Sequence, residues 1–194
     1  MRTIVLASSS PRRQEILSRT RLPFVIDVGD YDEDLSINLG PSELVVHLAL
    51  GKVRVVASRH PDALIIGSDT VVAFEGVIFG KPHTSARAKE MLQALSGKTN
   101  SVVCAYAVLD TESGRVVTDT MEVRVTFRSL QEYEIDAYIA TGEPLDKAGA
   151  YGIQGMGGIF IEKIEGDYPG ALGLPLYSLM RTLKAEFGID PFSH

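Results

Sequence analysis

The stretch Ala63–Phe74, ALIIGSDTVVAF, sets a carboxylate in the middle of twelve residues that otherwise read as a β-strand. Leu64, Ile65 and Ile66 precede the Ser68-Asp69-Thr70 interruption and Val71 and Val72 follow it, a composition suited to burial. A carboxylate so flanked is largely desolvated and stays ionised only where a cation or hydrogen-bond donors face it. Water at a strand edge is the plain alternative. Any fold for this chain must provide Asp69 with one or the other.

Around that strand the pattern alternates between helix and strand without strict βαβ order. Thr3–Ala7 reads as a short buried strand, followed by Ser8-Ser9-Ser10-Pro11-Arg12-Arg13, in which Ser10 takes the N-cap and Pro11 the first helical position. Phe24–Val28 reads as a second strand leading into an acidic loop, Asp30-Tyr31-Asp32-Glu33-Asp34. Pro41–Ser58 has the helical period, with Val45, Leu48, Ala49, Val56 and also Lys52 on one stripe. Glu75-Gly76 turns the chain into Val77–Phe79, and Thr84 opens a helix that points Ala88, Met91, Leu92 and Leu95 inward and ends at Gly97. Val102–Asp110 and Val116–Phe127 read as antiparallel strands joined at Glu112-Ser113-Gly114. Ser129 and Glu132 form a capping-box pattern for a helix ending near Gly142, and Gly158–Ile164 reads as a strand. A last helix spans Pro175–Phe187, closed by Gly188. The expected class is α/β with a mixed, partly antiparallel sheet.

Length and composition narrow the options. A chain of 194 residues, 45% hydrophobic, buries a core as a single domain, 1–194, of ordinary size or two small lobes. With 25 acidic and 19 basic side chains the net charge of -6 argues against general affinity for nucleic acid or an anionic membrane. The single Cys104 forms no internal disulfide, so a cytoplasmic setting is expected. No apolar run approaches the roughly 18 residues needed to span a bilayer. His47, His60, His83 and His194 lack zinc-ligand spacing, so a metal here is expected on oxygen ligands.

Several stretches carry the chemistry. The loop Ser8–Arg13 joins a strand to a helix N-terminus, where backbone N–H groups, hydroxyls and the Arg12 and Arg13 guanidiniums suit a phosphate; an N-cap with solvated arginines is the simpler reading. Lys52 lies on an apolar stripe, where an ammonium either snorkels to water or meets an anion. In Gly80-Lys81-Pro82 the proline restricts the backbone of Lys81 and so limits where its side chain points. Two acids distant in sequence, Glu33 and Asp69, complete an inventory for metal-assisted phosphoryl chemistry, and no G-x-x-x-x-G-K-[ST] run is present.

In order along the chain, Ser8-Ser9-Ser10-Pro11-Arg12-Arg13, Gly67-Ser68-Asp69-Thr70-Val71-Val72, Gly80-Lys81-Pro82, Leu95-Ser96-Gly97, the fourteen residues Gly142–Gly155 and Gly173-Leu174-Pro175-Leu176 resemble the Maf family of nucleotide pyrophosphatases. The resemblance implies an elongated twisted sheet with two lobes around a cleft, similar to the inosine triphosphate pyrophosphatase fold, a homodimer, and Mg²⁺ or Mn²⁺ as cofactor. It implies hydrolysis of dTTP or UTP to the monophosphate and pyrophosphate, since Thr70 and Gln154 match the pyrimidine-specific branch. The mechanism expected from this inventory has Glu33 and Asp69 holding the metal and Asp69 orienting or deprotonating the water, with Lys52 and Lys81 opposing the growing phosphate charge. Ser8, Ser10, Arg12 and Arg13 grip phosphates, and Thr70 and Gln154 read the base. Two positions depart from the family pattern: Asn100, where histidine is common, and Pro169-Gly170, where asparagine-valine is common. A pyrophosphatase for non-canonical purine triphosphates and a non-catalytic nucleotide-binding regulator of cell division are the alternative readings.

Overall fold

The computed structural model describes residues 2–193; Met1 and His194 lie outside the described residues. The mixed α/β sheet with flanking helices expected from the sequence is what forms. Seven strands pair in the order β2-β1-β3-β5-β6-β7, with β4 on β3. The strands are β1 (Thr3–Leu6), β2 (Phe24–Ile26), β3 (Ala63–Phe74), β4 (Val77–Phe79), β5 (Thr99–Asp110), β6 (Val116–Phe127) and β7 (Ile161–Glu165). The helices are α1 (Pro11–Ser18), α2 (Pro41–Ala57), α3 (Ser85–Leu95), α4 (Glu132–Ala140), α5 (Tyr168–Ala171) and α6 (Leu176–Phe187). The described residues divide into two compact units, one ending its first segment at Asp69 and adding Cys104–Met121 and the chain from Leu172 on, the other comprising Thr70–Val103 and Glu122–Ala171.

In the first unit β1 pairs in parallel with β2 on one side and β3 on the other, Leu6 opposite both Ile26 and Ile66. The chain goes from β1 to one neighbour through α1 and only later reaches the other, which makes the carboxyl ends of β1 and β3 a topological switch point, where α/β sheets take their ligands. The α2 stripe read from the sequence is buried: Val45, Leu48, Ala49 and Val56 are all inaccessible, and Ala49, Val53 and Val56 pack with Val5, Ile65 and Ala107 in one apolar cluster. Glu43 accepts from the Gly40 backbone N–H at 3.1 Å and starts that helix. In α6, Leu179 and Leu183 are buried, whereas Leu176, Met180 and Phe187 are only partly covered. Ser178 and Thr182 turn inward with them to the Tyr106 hydroxyl at 3.1 and 2.7 Å.

In the second unit a cluster of Phe74, Phe79, Leu92, Leu95, Val125, Phe127, Tyr138, Tyr151 and Phe160, among others, forms the core. Thr84 caps α3 as expected, accepting from the Arg87 N–H at 3.2 Å. Two local expectations fail. The capping box belongs to Gln131 and Glu134 rather than Ser129 and Glu132: the Glu134 carboxylate accepts from the Gln131 N–H at 2.8 Å while Arg128 pairs with its other oxygen at 2.7 Å. The strand expected over Gly158–Ile164 begins only at Ile161, because Met156–Phe160 winds as a 3-10 turn. Two more 3-10 turns, Glu143–Asp146 and Ala148–Ala150, occupy the stretch between α4 and that segment.

Candidate active site

The local cause of the site is Gly67. A Cβ there would come within 2.7 Å of Val53 Cγ1 and 2.8 Å of the Ala49 carbonyl oxygen, so α2 lies directly on β3 at a point where no side chain fits. That close approach lets Lys52, one turn beyond Leu48, reach the strand. Its ammonium hydrogen-bonds Asp69 Oδ1 and stands 2.8 Å from Glu33 Oε1. Asp69 is 5% exposed, and the Glu33 side chain, at 42%, opens the group to solvent. The demand that the sequence made for Asp69 is thus met by an ammonium rather than by strand-edge water, and Lys52 meets two anions instead of snorkelling.

Three formal charges, two negative and one positive, leave the cluster one unit negative. The same two carboxylates raise the Tyr31 phenol above its usual range, behind burial as the first cause and with Asp69 and Glu33 next. Among the described residues no group of three His, Cys, Asp or Glu side chains could cage a metal. Two oxygen-donor side chains beside a residual negative charge nevertheless fit a divalent cation whose remaining ligands are phosphate oxygens and water, the usual Mg²⁺ arrangement in phosphoryl-transfer sites. Glu33 and Asp69 are the residues that would hold it.

The phosphate-loop candidates form a second group in the same unit. Ser8 is buried, and its Oγ accepts from the Ser10 backbone N–H and from Arg13 Nη1, both at 3.3 Å. Ser10 takes the N-cap position of α1, but its side chain makes no cap hydrogen bond. Arg13 Nε donates to the Gly173 carbonyl at 2.9 Å. The Ser68 hydroxyl lies 2.7 Å from that carbonyl and 2.6 Å from the Ala105 carbonyl, its one hydrogen serving either. Arg13 and the residue preceding Asp69 therefore share an oxygen, which links the loop after β1 to the acidic position on β3. Arg12 is half-buried one residue earlier on α1. Ser68 and Gly173 were quoted in the family motifs without a role; their geometry now supplies one.

The other predicted residues belong to the second unit. Thr70 is half-buried on β3, and Lys81 and Gln154 are exposed. The Gly80 carbonyl accepts from the Gly149 N–H at 3.1 Å and the Leu145 carbonyl from the His83 N–H at 3.3 Å, so the Lys81 loop is laced to the Gly142–Gly155 stretch. Glu143, which sequence reasoning gave no role, organises that stretch. It accepts from the Tyr138 hydroxyl and Met156 N–H, both at 2.9 Å, and from the Gly157 N–H at 3.3 Å. Burial opposes ionisation of this carboxyl, but the Met156 N–H, the Tyr138 hydroxyl and the Gly157 N–H together hold it below its ordinary range. Asn100, one of the two departures, is buried in the core: its Nδ2 donates to the Val125 carbonyl at 3.1 Å and its Oδ1 accepts from the Tyr151 hydroxyl at 2.9 Å. The other departure lies in α5, where the Gly170 N–H is capped by Asp167 at 3.1 Å.

An acid pair and a lysine thus meet at a switch point, and a hydroxyl- and arginine-bearing helix start lies in the same unit. The family model for "Maf-like protein" matches residues 3–186, and the chain belongs to the Maf family. It is 49% identical over 190 residues to a dTTP/UTP pyrophosphatase of Bacillus cereus, covering 98% of each chain. It is 48% identical, with the same coverage, to a dTTP/UTP pyrophosphatase of Bacillus anthracis. Among solved structures, the Ham1 protein of Staphylococcus aureus aligns with 64% of this chain and 71% of its own at 14% identity and a TM-score of 0.47. Among the described residues no helix is long and apolar enough to cross a membrane.

Proposed function

We propose that this protein hydrolyses dTTP and UTP to the nucleoside monophosphate and pyrophosphate, with a divalent cation, Mg²⁺ or Mn²⁺, held by Glu33 and Asp69. The observation that carries the reading is the convergence of Glu33 and Asp69 on the Lys52 ammonium, in a chain half identical to relatives named for that activity. Bound at the two carboxylates, the cation supplies charge neutralisation on the triphosphate. Asp69 orients a water and takes its proton as the water oxygen bonds to the α-phosphorus. The bond from that phosphorus to the bridging oxygen breaks, and its electron pair leaves with pyrophosphate. Lys52 and Lys81 offset negative charge on the phosphate oxygens as it builds. Ser8, Ser10, Arg12 and Arg13 grip the phosphates at the start of α1. Thr70 and Gln154 read the pyrimidine edge, the Gln154 amide carrying both a donor and an acceptor. A cytoplasmic homodimer is the proposed form.

The test is a nucleotide panel of dTTP, UTP, dCTP, ATP, GTP and ITP, assayed with Mg²⁺ and with Mn²⁺ for pyrophosphate against orthophosphate. Pyrophosphate released fastest from dTTP and UTP supports the proposal. Diphosphate plus orthophosphate as products would overturn the reaction type, and ITP as the best substrate would overturn the base preference. Tight binding of every nucleotide without turnover would point to a sensor of nucleotides instead.

A further inference from the structure

The acidic loop that carries Glu33 has no regular secondary structure, yet Glu33 reaches Lys52. An ion pair with one exposed partner contributes about 0–1 kcal/mol, while fixing each backbone residue costs about 1–2 kcal/mol, so the pair alone does not order the loop. A second contact stands two residues earlier. The Tyr31 ring is seated on α2 at Gly51: a Cβ at that glycine would meet Tyr31 Cζ at 2.0 Å, Cε2 at 2.2 Å and Oη at 2.4 Å. The ring thus occupies the space that any larger residue at position 51 would need. Gly51 immediately precedes Lys52, so the loop is fastened at adjacent helix positions, by a ring at one and by a carboxylate at the next. Burying most of a large side chain contributes on the order of 1.5–3 kcal/mol when complete, and a half-buried ring a part of that. This is the larger of the two fastenings.

We infer that Tyr31, seated in the slot left by Gly51, is a positioning residue that holds Glu33 against Lys52 and Asp69 and so sets the affinity of the acid pair for the divalent cation. The inference rests on the metal role proposed above for Glu33. The part played by Tyr31 is steric, and the hydroxyl proton is not needed for it.

The experiment uses the full chain freed of metal and without nucleotide. Mn²⁺ binding is read from the electron paramagnetic resonance signal of the free ion, and loop order from amide hydrogen exchange over residues 28–36. Tyr31→Ala and Gly51→Ala are expected to weaken Mn²⁺ binding about tenfold, the lower end of the range for residues that orient a metal ligand, and to speed exchange in the loop. Tyr31→Phe, which keeps the ring, should stay within roughly twofold of the parent in affinity, and on a Glu33→Gln background Tyr31→Ala should weaken Mn²⁺ binding no further. Unchanged loop exchange in Tyr31→Ala, or equal damage from Tyr31→Phe and Tyr31→Ala, overturns the inference. Should Glu33→Gln itself bind Mn²⁺ as the parent does, the metal role of Glu33 falls and with it the link from Tyr31 to affinity. The exchange data then decide the seating of the loop on their own.

Discussion

Asp69 and Lys52 depend on each other in a way that separates their mutants. In Asp69→Asn the lysine keeps Glu33 as a partner, so the fold should persist while the group proposed to take the proton is gone. Turnover of dTTP should fall by about 10²–10⁴, the usual contribution of a positioned general base, with nucleotide binding by calorimetry nearly intact. Retention of near-parental kcat in that variant removes Asp69 from the mechanism. Lys52→Met differs because it strands a nearly inaccessible carboxylate without its counter-charge. The loss of a partner from a buried pair costs about 3–5 kcal/mol, so the denaturation midpoint should drop as well as activity. Much of this residue-level picture was legible beforehand. An aspartate amid Leu64–Ile66 and Val71-Val72 called for a cation, hydrogen-bond donors or strand-edge water, and a lysine on the Val45–Val56 stripe either snorkelled or met an anion. What the sequence could not reveal was Gly67 as the reason the two meet, or Tyr31 on Gly51, because each is a steric fact about two segments far apart along the chain.

At the level of elements, the strongly periodic segments formed as expected, and the misread ones sit where local interactions compete. Glu132 and Glu134 both offer a carboxylate to the start of α4, and the choice went to Glu134 because Arg128 holds it. The 3-10 turns over Glu143–Phe160 have no apolar period to betray them, and they are shaped by a single carboxylate, Glu143, bonded to two backbone N–H groups. Motif spacing marked this region as significant without giving its conformation. Asn100 on β5 and Tyr151, which follows the 3-10 turn Ala148–Ala150, form a buried pair whose phenol burial pushes well above the ordinary range, against the lesser opposing effect of the Asn100 bond. Tyr151→Phe keeps the edge-on contact with Phe127, at 4.8 Å between centroids, but deprives the Asn100 carbonyl of its donor. An unpaired buried acceptor costs about 1–3 kcal/mol, and urea denaturation should register that loss with an unchanged m-value.

At the scale of the whole molecule, several carboxylates are paired with arginines. Arg2 donates to both oxygens of Asp110, at 2.9 and 2.5 Å, and holds that carboxyl well below the usual range. Arg59, with His60 behind it, brings Asp27 down to about 2, and Arg128 does the same for Glu134, also to about 2. For acids depressed in the folded state, the stabilisation is complete above the unfolded values, 3.8 for Asp and 4.5 for Glu, and is lost as pH falls through the folded ones. The melting temperature should therefore be level above about pH 5 and decline steadily from about pH 4 to pH 2. Asp110→Asn should make that decline shallower, and an equally steep acid limb in the variant would mean that Asp110 has no part in it.

The Gly173 carbonyl has a consequence for how this protein can be altered. One peptide oxygen in the closing segment receives both the arginine of the opening loop and the serine beside the central acid. Arg13 and Ser68 are therefore joined through the segment that precedes α6, so substitutions at or next to Gly173 reach the residues proposed to grip the phosphates and have to be judged by turnover and not by solubility alone.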